Sequence, residues 1–201
     1  MPNTPPDYCP ECGGRLEPVD PPAVQQCEDC EEYEFFNPIP TARVAVLDSG
    51  GRTPPSSAAK PHDGDSILLV KVDLPDRDLW GTPGGMAEVS ENPDVVGARE
   101  LREETTLRAD PADMVLFDVR TFLKFEEVPK TCLCYAVDAA TVVGTPEADE
   151  EVAEARYWTP QQFEAADDRL LTSWPDAYQD LQWWVDRGRA ALDSDGDGIR
   201  R

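Results

Sequence analysis

Apolar residues in this chain gather in short β-branched runs, and those runs set the expected elements. ARVAVL (Ala42 to Leu47) and ILLVKV (Ile67 to Val72) have the length and composition of strands. Between them DSGGRTPPSSAAKPHDGDS, residues 48–66, is rich in Pro, Gly and Ser, which predicts a hairpin with an enlarged, flexible tip. MVLFDVRTFLKF (Met114 to Phe125) and TCLCYAV (Thr131 to Val137) predict further strands around the turn-like EEVPK, and Ala155 to Trp158 a short one. Pro160 to Asp168 and Pro175 to Leu192 read as helices that open on Pro. The second carries Tyr178, Leu181, Trp184 and Val185 at core-facing spacing. Strands flanked by helices predict a layered α/β or α+β domain, without internal repeats.

Charge narrows the partners. The 201 residues hold 41 acidic and 18 basic side chains, a formal net charge of -23, and only four lysines. Such a surface repels nucleic-acid phosphates and anionic membranes. Acid excess with scarce lysine resembles proteins of extreme halophiles, where at molar salt the Debye length of about 3 Å screens self-repulsion. The opening MPNTPPDYCP has neither a basic nor an apolar leader region, and no run of eighteen apolar residues occurs, so a soluble cytoplasmic protein is expected.

The cysteines mark a separate N-terminal segment. Cys9-x2-Cys12 and Cys27-x2-Cys30 lie fourteen residues apart, and NPIP (Asn37 to Pro40) follows as a rigid junction. Two such knuckles are the layout of a four-cysteine zinc ribbon, and the glycines of CPECGG let backbone amides turn toward sulfur. Two disulfides are the competing reading, disfavoured without a secretion signal. The boundaries expected are a ribbon over 1–36, a main domain over 37–190 and an acidic tail over 191–201. Cys132 and Cys134, alternating on a strand, read as core residues, and His62 in the long loop as inert.

The stretch from Gly84 to Leu107 asks for more than a charged face. Asn92 can cap a helix whose first position is Pro93, with Asp94 in its first turn. On that helix Glu100, Glu103 and Glu104 fall at i, i+3 and i+4, on one face, with Ala98 and Leu101 on another. Like charges this close call for a cation, and oxygen-only ligands favour Mg²⁺ or Mn²⁺. The pattern Gly85-x5-Glu91-x7-Arg99-Glu100-Leu101-x-Glu103-Glu104-x-x-Leu107 resembles the Nudix box of the Nudix hydrolases, with Thr106 where the family has Gly. A left-handed Thr costs about 1–2 kcal/mol, so the exit turn is expected to differ.

The resemblance implies a Nudix α/β/α sandwich with a mixed sheet, the box forming a loop-helix-loop. It implies that Glu103 and Glu104 hold Mg²⁺ or Mn²⁺, that Glu100 is a ligand or the base, and that the Gly84 carbonyl completes the shell. Glu91 would pair with Arg99 to brace the loop, and Gly85 would form its turn. The activity implied is hydrolysis of a diphosphate linkage in a nucleoside diphosphate joined to another moiety. EEVAEARYWTP (Glu150 to Pro160) resembles the segment that supplies one more carboxylate in NADH pyrophosphatase-like members. It favours Glu151, with Glu150 and Glu154 as alternatives and a plain acidic surface as the competing reading.

Ribbon, NP-x-P junction and box together resemble the NADH pyrophosphatase branch over about residues 5–160, and imply a possible homodimer. The Pro and aromatic-rich SQPWPFP signature of NADH preference is missing, which leaves ADP-ribose or another nucleotide-linked diphosphate equally open. Trp80, Phe122 and Phe125 could stack on a base, though aromatics more often pack. A nucleotide sensor whose ribbon docks protein or RNA, and an activity on nucleotide-capped RNA, are the rival readings. The tail DSDGDGIR starts like a calcium loop and ends before its twelfth ligand.

Overall fold

A computed structural model of the chain describes residues 6–20, 23–50, 64–74, 77–124, 128–149 and 151–195. Phe125, Glu150, His62, most of the 48–66 loop and the last six residues of the acidic tail lie outside the described residues. The chain divides into two compact units, Met1–Ile39 with Thr121–Thr131, and Pro40–Arg120 with Cys132–Arg201.

The first unit holds three strands that the apolar pattern did not predict: β1 (Leu16–Asp20), β2 (Val24–Cys27) and β3 (Tyr33–Phe35). They pair antiparallel in that order, with Leu16 opposite Cys27 and Gln26 opposite Tyr33. Their buried core is Cys9, Leu16 and Cys27 with Cys30 packed on it. Apolar burial on that scale does not offset the entropy of ordering the segment, so something besides packing has to hold it.

The main unit is a mixed, curled sheet between helices. The strands of that sheet are β4 (Ile39–Asp48), β5 (Ser66–Leu74), β6 (Arg77–Gly81), β7 (Val115–Lys124), β8 (Val128–Asp138), β9 (Val152–Trp158) and β10 (Arg169–Leu170), of which Ile39 and Thr121–Thr131 are counted with the first unit. The order is β10-β6-β5-β4-β8-β7, with β9 paired to β5. β5 is the branch point: it meets β4 at Leu47↔Ile67, β6 from Val70 onward, and β9 along its opposite edge from Ile67 to Val72. β10 runs parallel to β6.

Among the described residues three helices complete it, α1 (Pro93–Thr105), α2 (Pro160–Ala165) and α3 (Leu181–Asp195). Ala42, Val44 and Val46 of β4 pack with Val96 and Leu101 of α1, and a Cβ on Gly97 would lie 2.9 Å from Val44 Cγ2, so α1 sits close on this face. The opposite face carries Leu47, against which Gly188 of α3 packs, and an aromatic cluster of Phe117, Trp174, Tyr178, Trp183 and Trp184. Helices on both faces of a mixed sheet give the expected α/β/α sandwich.

Several local expectations change. The C-terminal helix starts at Leu181, not Pro175; Asp176–Gln179 forms a separate 3₁₀ turn and Asp180 is extended. The Trp184 indole N–H donates to the Tyr178 carbonyl (3.0 Å), which fixes this break, and Tyr178, Leu181, Trp184 and Val185 are still all buried. α2 ends at Ala165, before the left-handed Asp167 (φ 57°). EEVPK is less of a turn than expected, since Val128, Pro129 and Lys130 belong to β8.

Candidate active site

α1 begins as the pattern indicates, with Pro93 first and Asp94 in the first turn, although Asn92 at the cap position makes no side-chain cap bond. Its three glutamates leave one side of the helix and enter different environments. Glu100 is 8% exposed, and burial raises its carboxyl against the opposing pull of Arg99. Glu103 is the most open, its side chain 37% exposed. Glu104 accepts a 2.9 Å hydrogen bond from the Gly84 amide. Burial pushes the Glu104 carboxyl up to about 7, with Arg43 and the Gly84 amide pulling down and Glu100 and Glu151 adding to the rise.

Arg99 organises the outer half of the cluster. Its Nε and Nη2 take both oxygens of Glu91 at 3.0 and 3.1 Å, and Nη1 donates to Glu100 (2.8 Å) and Glu103 (2.9 Å). Nη2 also donates to the Met86 carbonyl (2.9 Å), which ties the incoming loop to the helix. The two-pronged bond holds the Glu91 carboxyl below its ordinary value.

The loop before α1 is laid against β4. Ala42 and Val44 amides donate to the Gly85 and Pro83 carbonyls at 3.0 and 2.9 Å, and the Ala87 amide to Pro40 at 3.0 Å. Such close approach explains both glycines. Gly84 has φ 144°, and a Cβ there would run into the Ala42 carbonyl and lie 2.8 Å from Arg43 Cα. A Cβ on Gly85 would instead run into the Glu100 carboxylate. Gly84 also brings an amide to the cluster, which holds Glu104.

The exit from α1 is built with threonine. Thr106 is left-handed (φ 62°, ψ −6°); its amide donates to the Arg102 carbonyl (2.9 Å) and its hydroxyl to the Thr145 carbonyl (3.1 Å). The segment holding Thr145 is fastened along the helix end, with Glu147 and Asp149 amides donating to the Thr105 and Glu104 carbonyls at 3.1 and 3.3 Å. That fastening brings the exposed Glu151 near Glu104, whose carboxyl its charge raises. Glu154 is instead paired with Arg156 (3.1 Å).

Of the aromatic candidates, Trp80 lies in the main unit. Trp80 is 1% exposed, edge-to-face with Trp158 at 5.3 Å, and covered by Arg156 and Lys71, so it is a packing residue with no face for a base. Phe122 belongs to the N-terminal unit. Arg43 is the residue the sequence reading missed. It stacks over Trp174 at 5.3 Å, donates to the Thr82 carbonyl at 2.7 Å, and lowers the carboxyls of Glu104 and Glu100. Its only signal was a basic residue inside the apolar run ARVAVL.

Metal fit differs between the two clusters. Among the described residues, Cys9, Cys12, Cys27 and Cys30 form a group whose ligand atoms all lie within 4.8 Å. Cys9–Cys30 and Cys12–Cys27 sulfurs are 3.8 and 3.4 Å apart. A zinc tetrahedron with bonds of about 2.3 Å sets sulfurs about 3.8 Å apart, whereas a disulfide needs about 2.05 Å. All four are free thiols, the Gly14 amide donates to Cys12 Sγ (3.4 Å), and the Cys30 amide leads in lowering Cys27 to about 7. The group fits a zinc ribbon. The glutamates are less converged, with Arg99 bonded to both Glu100 and Glu103, but their all-oxygen donors and the raised carboxyls of Glu100 and Glu104 fit a hard divalent cation.

Comparison with family models matches the NUDIX domain over residues 53–179, more than half of the chain. No curated protein matches. Among solved structures, a NUDIX hydrolase from Nitrosomonas europaea is 16% identical with a TM-score of 0.53, covering 96% of this chain and 94% of its own. The NUDIX domain of Shewanella oneidensis NrtR, complexed with ADP ribose, is 17% identical with a TM-score of 0.55, covering 79% and 90%. A UDP-X diphosphatase is 17% identical with a TM-score of 0.56, covering 78% and 66%. At these identities the structures speak to fold.

Proposed function

The chain belongs to the NUDIX family, and on that premise we propose that it is a pyrophosphohydrolase that cuts the diphosphate of a nucleoside diphosphate linked to a second moiety, releasing a nucleoside monophosphate. The observation that carries this reading is the environment of Glu104: a carboxyl held by the Gly84 amide and raised to about 7 chiefly by burial, with Glu100 and Glu151 adding to the rise and Arg43 opposing it. A carboxylate so disfavoured as an anion is suited to a site completed by a cation and a polyanion.

Glu103, Glu104 and Glu100, with Glu151 from the loop after β8, would hold Mg²⁺ or Mn²⁺. Bound there, that cation would neutralise charge on the diphosphate and acidify an attacking water. The protein groups do the rest. Arg99, locked by Glu91 and Met86, sets the positions of Glu100 and Glu103. Gly85 leaves the space Glu100 occupies, and the Gly84 amide aims Glu104. Glu100, paired with Arg99 and raised by burial, would serve as a further ligand or as the base that takes a proton from water.

The four-cysteine ribbon before the NUDIX unit supports the NADH pyrophosphatase branch, and the missing SQPWPFP signature speaks against NADH as the preferred substrate. ADP-ribose is the substrate to test first, since a NUDIX domain of the same fold binds it. Zinc is assigned a structural role, because the ribbon's own core is so small.

The test incubates the protein with ADP-ribose, NADH, NAD and dinucleoside polyphosphates in Mg²⁺ or Mn²⁺, in low and molar salt. Release of nucleoside monophosphate, lost in Glu103→Gln and Glu104→Gln, is expected. Turnover that survives both substitutions would sink the assignment. Activity that rises with salt is the expected consequence of the -23 charge.

A further inference from the structure

Arg43 differs from the arginines that pair with carboxylates. Arg99, Arg102, Arg120, Arg156 and Arg189 each hold a carboxylate within 3.2 Å. Among the described residues no carboxylate oxygen lies within 4.0 Å of the Arg43 guanidinium, in a chain with 41 acidic side chains. Yet it is half-buried and fixed. Alternation along β4 turns Val44 toward α1 and Arg43 toward the aromatic cluster, where Trp174 supports its flat face. The Thr82 carbonyl takes Nη1, one nitrogen of a five-donor fork. The Gly84 turn rests on its Cα and Cδ, so Arg43 packs directly on the same turn whose amide holds Glu104.

We infer that Arg43 anchors the substrate's diphosphate, its guanidinium taking phosphoryl oxygens that lie against the carboxylates of Glu104 and Glu100. This rests on the pyrophosphohydrolase reading. A dianionic diphosphate can settle among glutamates only if cations separate the like charges. Arg43 supplies a permanent one, already oriented before the substrate arrives, so no reorganisation is needed in the reaction. A planar fork suits two phosphoryl oxygens better than an ammonium does. Its electrostatic reach to Glu104 and Glu100, which it lowers, agrees with this placement.

The experiment compares wild type, Arg43→Met and Arg43→Lys for turnover of ADP-ribose, inhibition by inorganic pyrophosphate, and Mn²⁺ binding without substrate. Arg43→Met should lower kcat/KM by about 10²–10³-fold and weaken pyrophosphate inhibition about tenfold or more. Its Mn²⁺ affinity should hold or tighten, because a nearby positive charge has gone. A merely structural arginine would weaken Mn²⁺ binding together with turnover, and that result overturns the proposal. So does wild-type pyrophosphate inhibition in Arg43→Met. If Arg43→Met fails to fold, Arg43→Lys decides: weaker pyrophosphate inhibition with intact Mn²⁺ binding supports the anchor, and unchanged inhibition overturns it. A wild type inert toward every linked diphosphate, yet binding pyrophosphate through Arg43 by calorimetry, would reject the hydrolase reading and leave the anion site standing.

Discussion

Gly85 and Gly84 adjoin in the same turn, and the structure predicts opposite failures for them. An ideal Cβ on Gly85 lies 2.5 Å from Glu100 Cδ and Oε2, where ordinary contact begins at 3.4 Å. What it meets is the end of a side chain, and Gly85 itself is outside the left-handed region, so the carboxylate can withdraw and the backbone need not. Glu100 must retreat by roughly 1 Å, a displacement able to cost about 10²-fold in rate, or about 2.7 kcal/mol of transition-state stabilisation. Gly85→Ala should therefore lose about 100-fold in kcat, keep KM, and lose no more than about 1 kcal/mol of stability. In Gly84→Ala the new Cβ strikes the Ala42 carbonyl and Arg43 Cα, backbone atoms that cannot withdraw, at a φ of 144°. That variant should lose about 2–4 kcal/mol in denaturant melts. Steady-state kinetics beside urea unfolding separates the two. A Gly85→Ala enzyme with wild-type kcat, or one as unstable as Gly84→Ala, would refute the reasoning.

Glu104 makes metal binding and stability pH-dependent. Its folded carboxyl is raised from 4.5 to about 7, so its contribution is fully present below about pH 4.5 and is lost as pH rises through about 7. The metal-free protein should weaken by at most about 3 kcal/mol across that window, while Mn²⁺ affinity climbs about tenfold per pH unit until near 7; Glu104→Gln should flatten both curves. Thr106→Ala keeps the left-handed turn but loses the bond to Thr145, and should cost about 1 kcal/mol. Thr106→Gly loses that bond and also relieves the left-handed strain, so its melting point should stay near wild type. Cys9→Ser with Cys12→Ser should abolish binding of one zinc per chain, read by metal analysis, and expose residues 6–36 to hydrogen exchange.

Where burial and pattern coincide, the sequence is legible. ARVAVL and ILLVKV announce β4 and β5 because their residues are buried on both faces, and such runs read as strands. The register of Glu100, Glu103 and Glu104 is legible because helix geometry alone puts them on one side. β6 is not, since RDLWG becomes a strand through pairing with β5, and β10 forms only as a two-residue parallel partner of β6. Stacking stayed open for Trp80 beside the commoner packing role because nothing local records that Trp158 and Arg156 cover it. Glu151 and Glu154 differ by three positions and cannot be told apart locally. What separates them is the fastening of Glu147 and Asp149 onto the end of α1 and the capture of Glu154 by Arg156.

Thr106 brings these levels together. Read locally, it is a β-branched residue in a conformation that favours glycine, and the turn should distort. The turn keeps its form because the Thr145 carbonyl, thirty-nine residues on, accepts the Thr106 hydroxyl. The same segment bonds to the carbonyls of Thr105 and Glu104 and carries Glu151 toward the cluster. Glycine could form the turn but could not make that side-chain bond. The exchange of glycine for threonine thus costs local backbone freedom and adds a tether on the loop that carries Glu151. If that coupling is real, Thr106→Gly should leave the melting point near wild type and still lower Mn²⁺ affinity, and Glu151→Gln should lower it no further in the Thr106→Gly background than in the wild type.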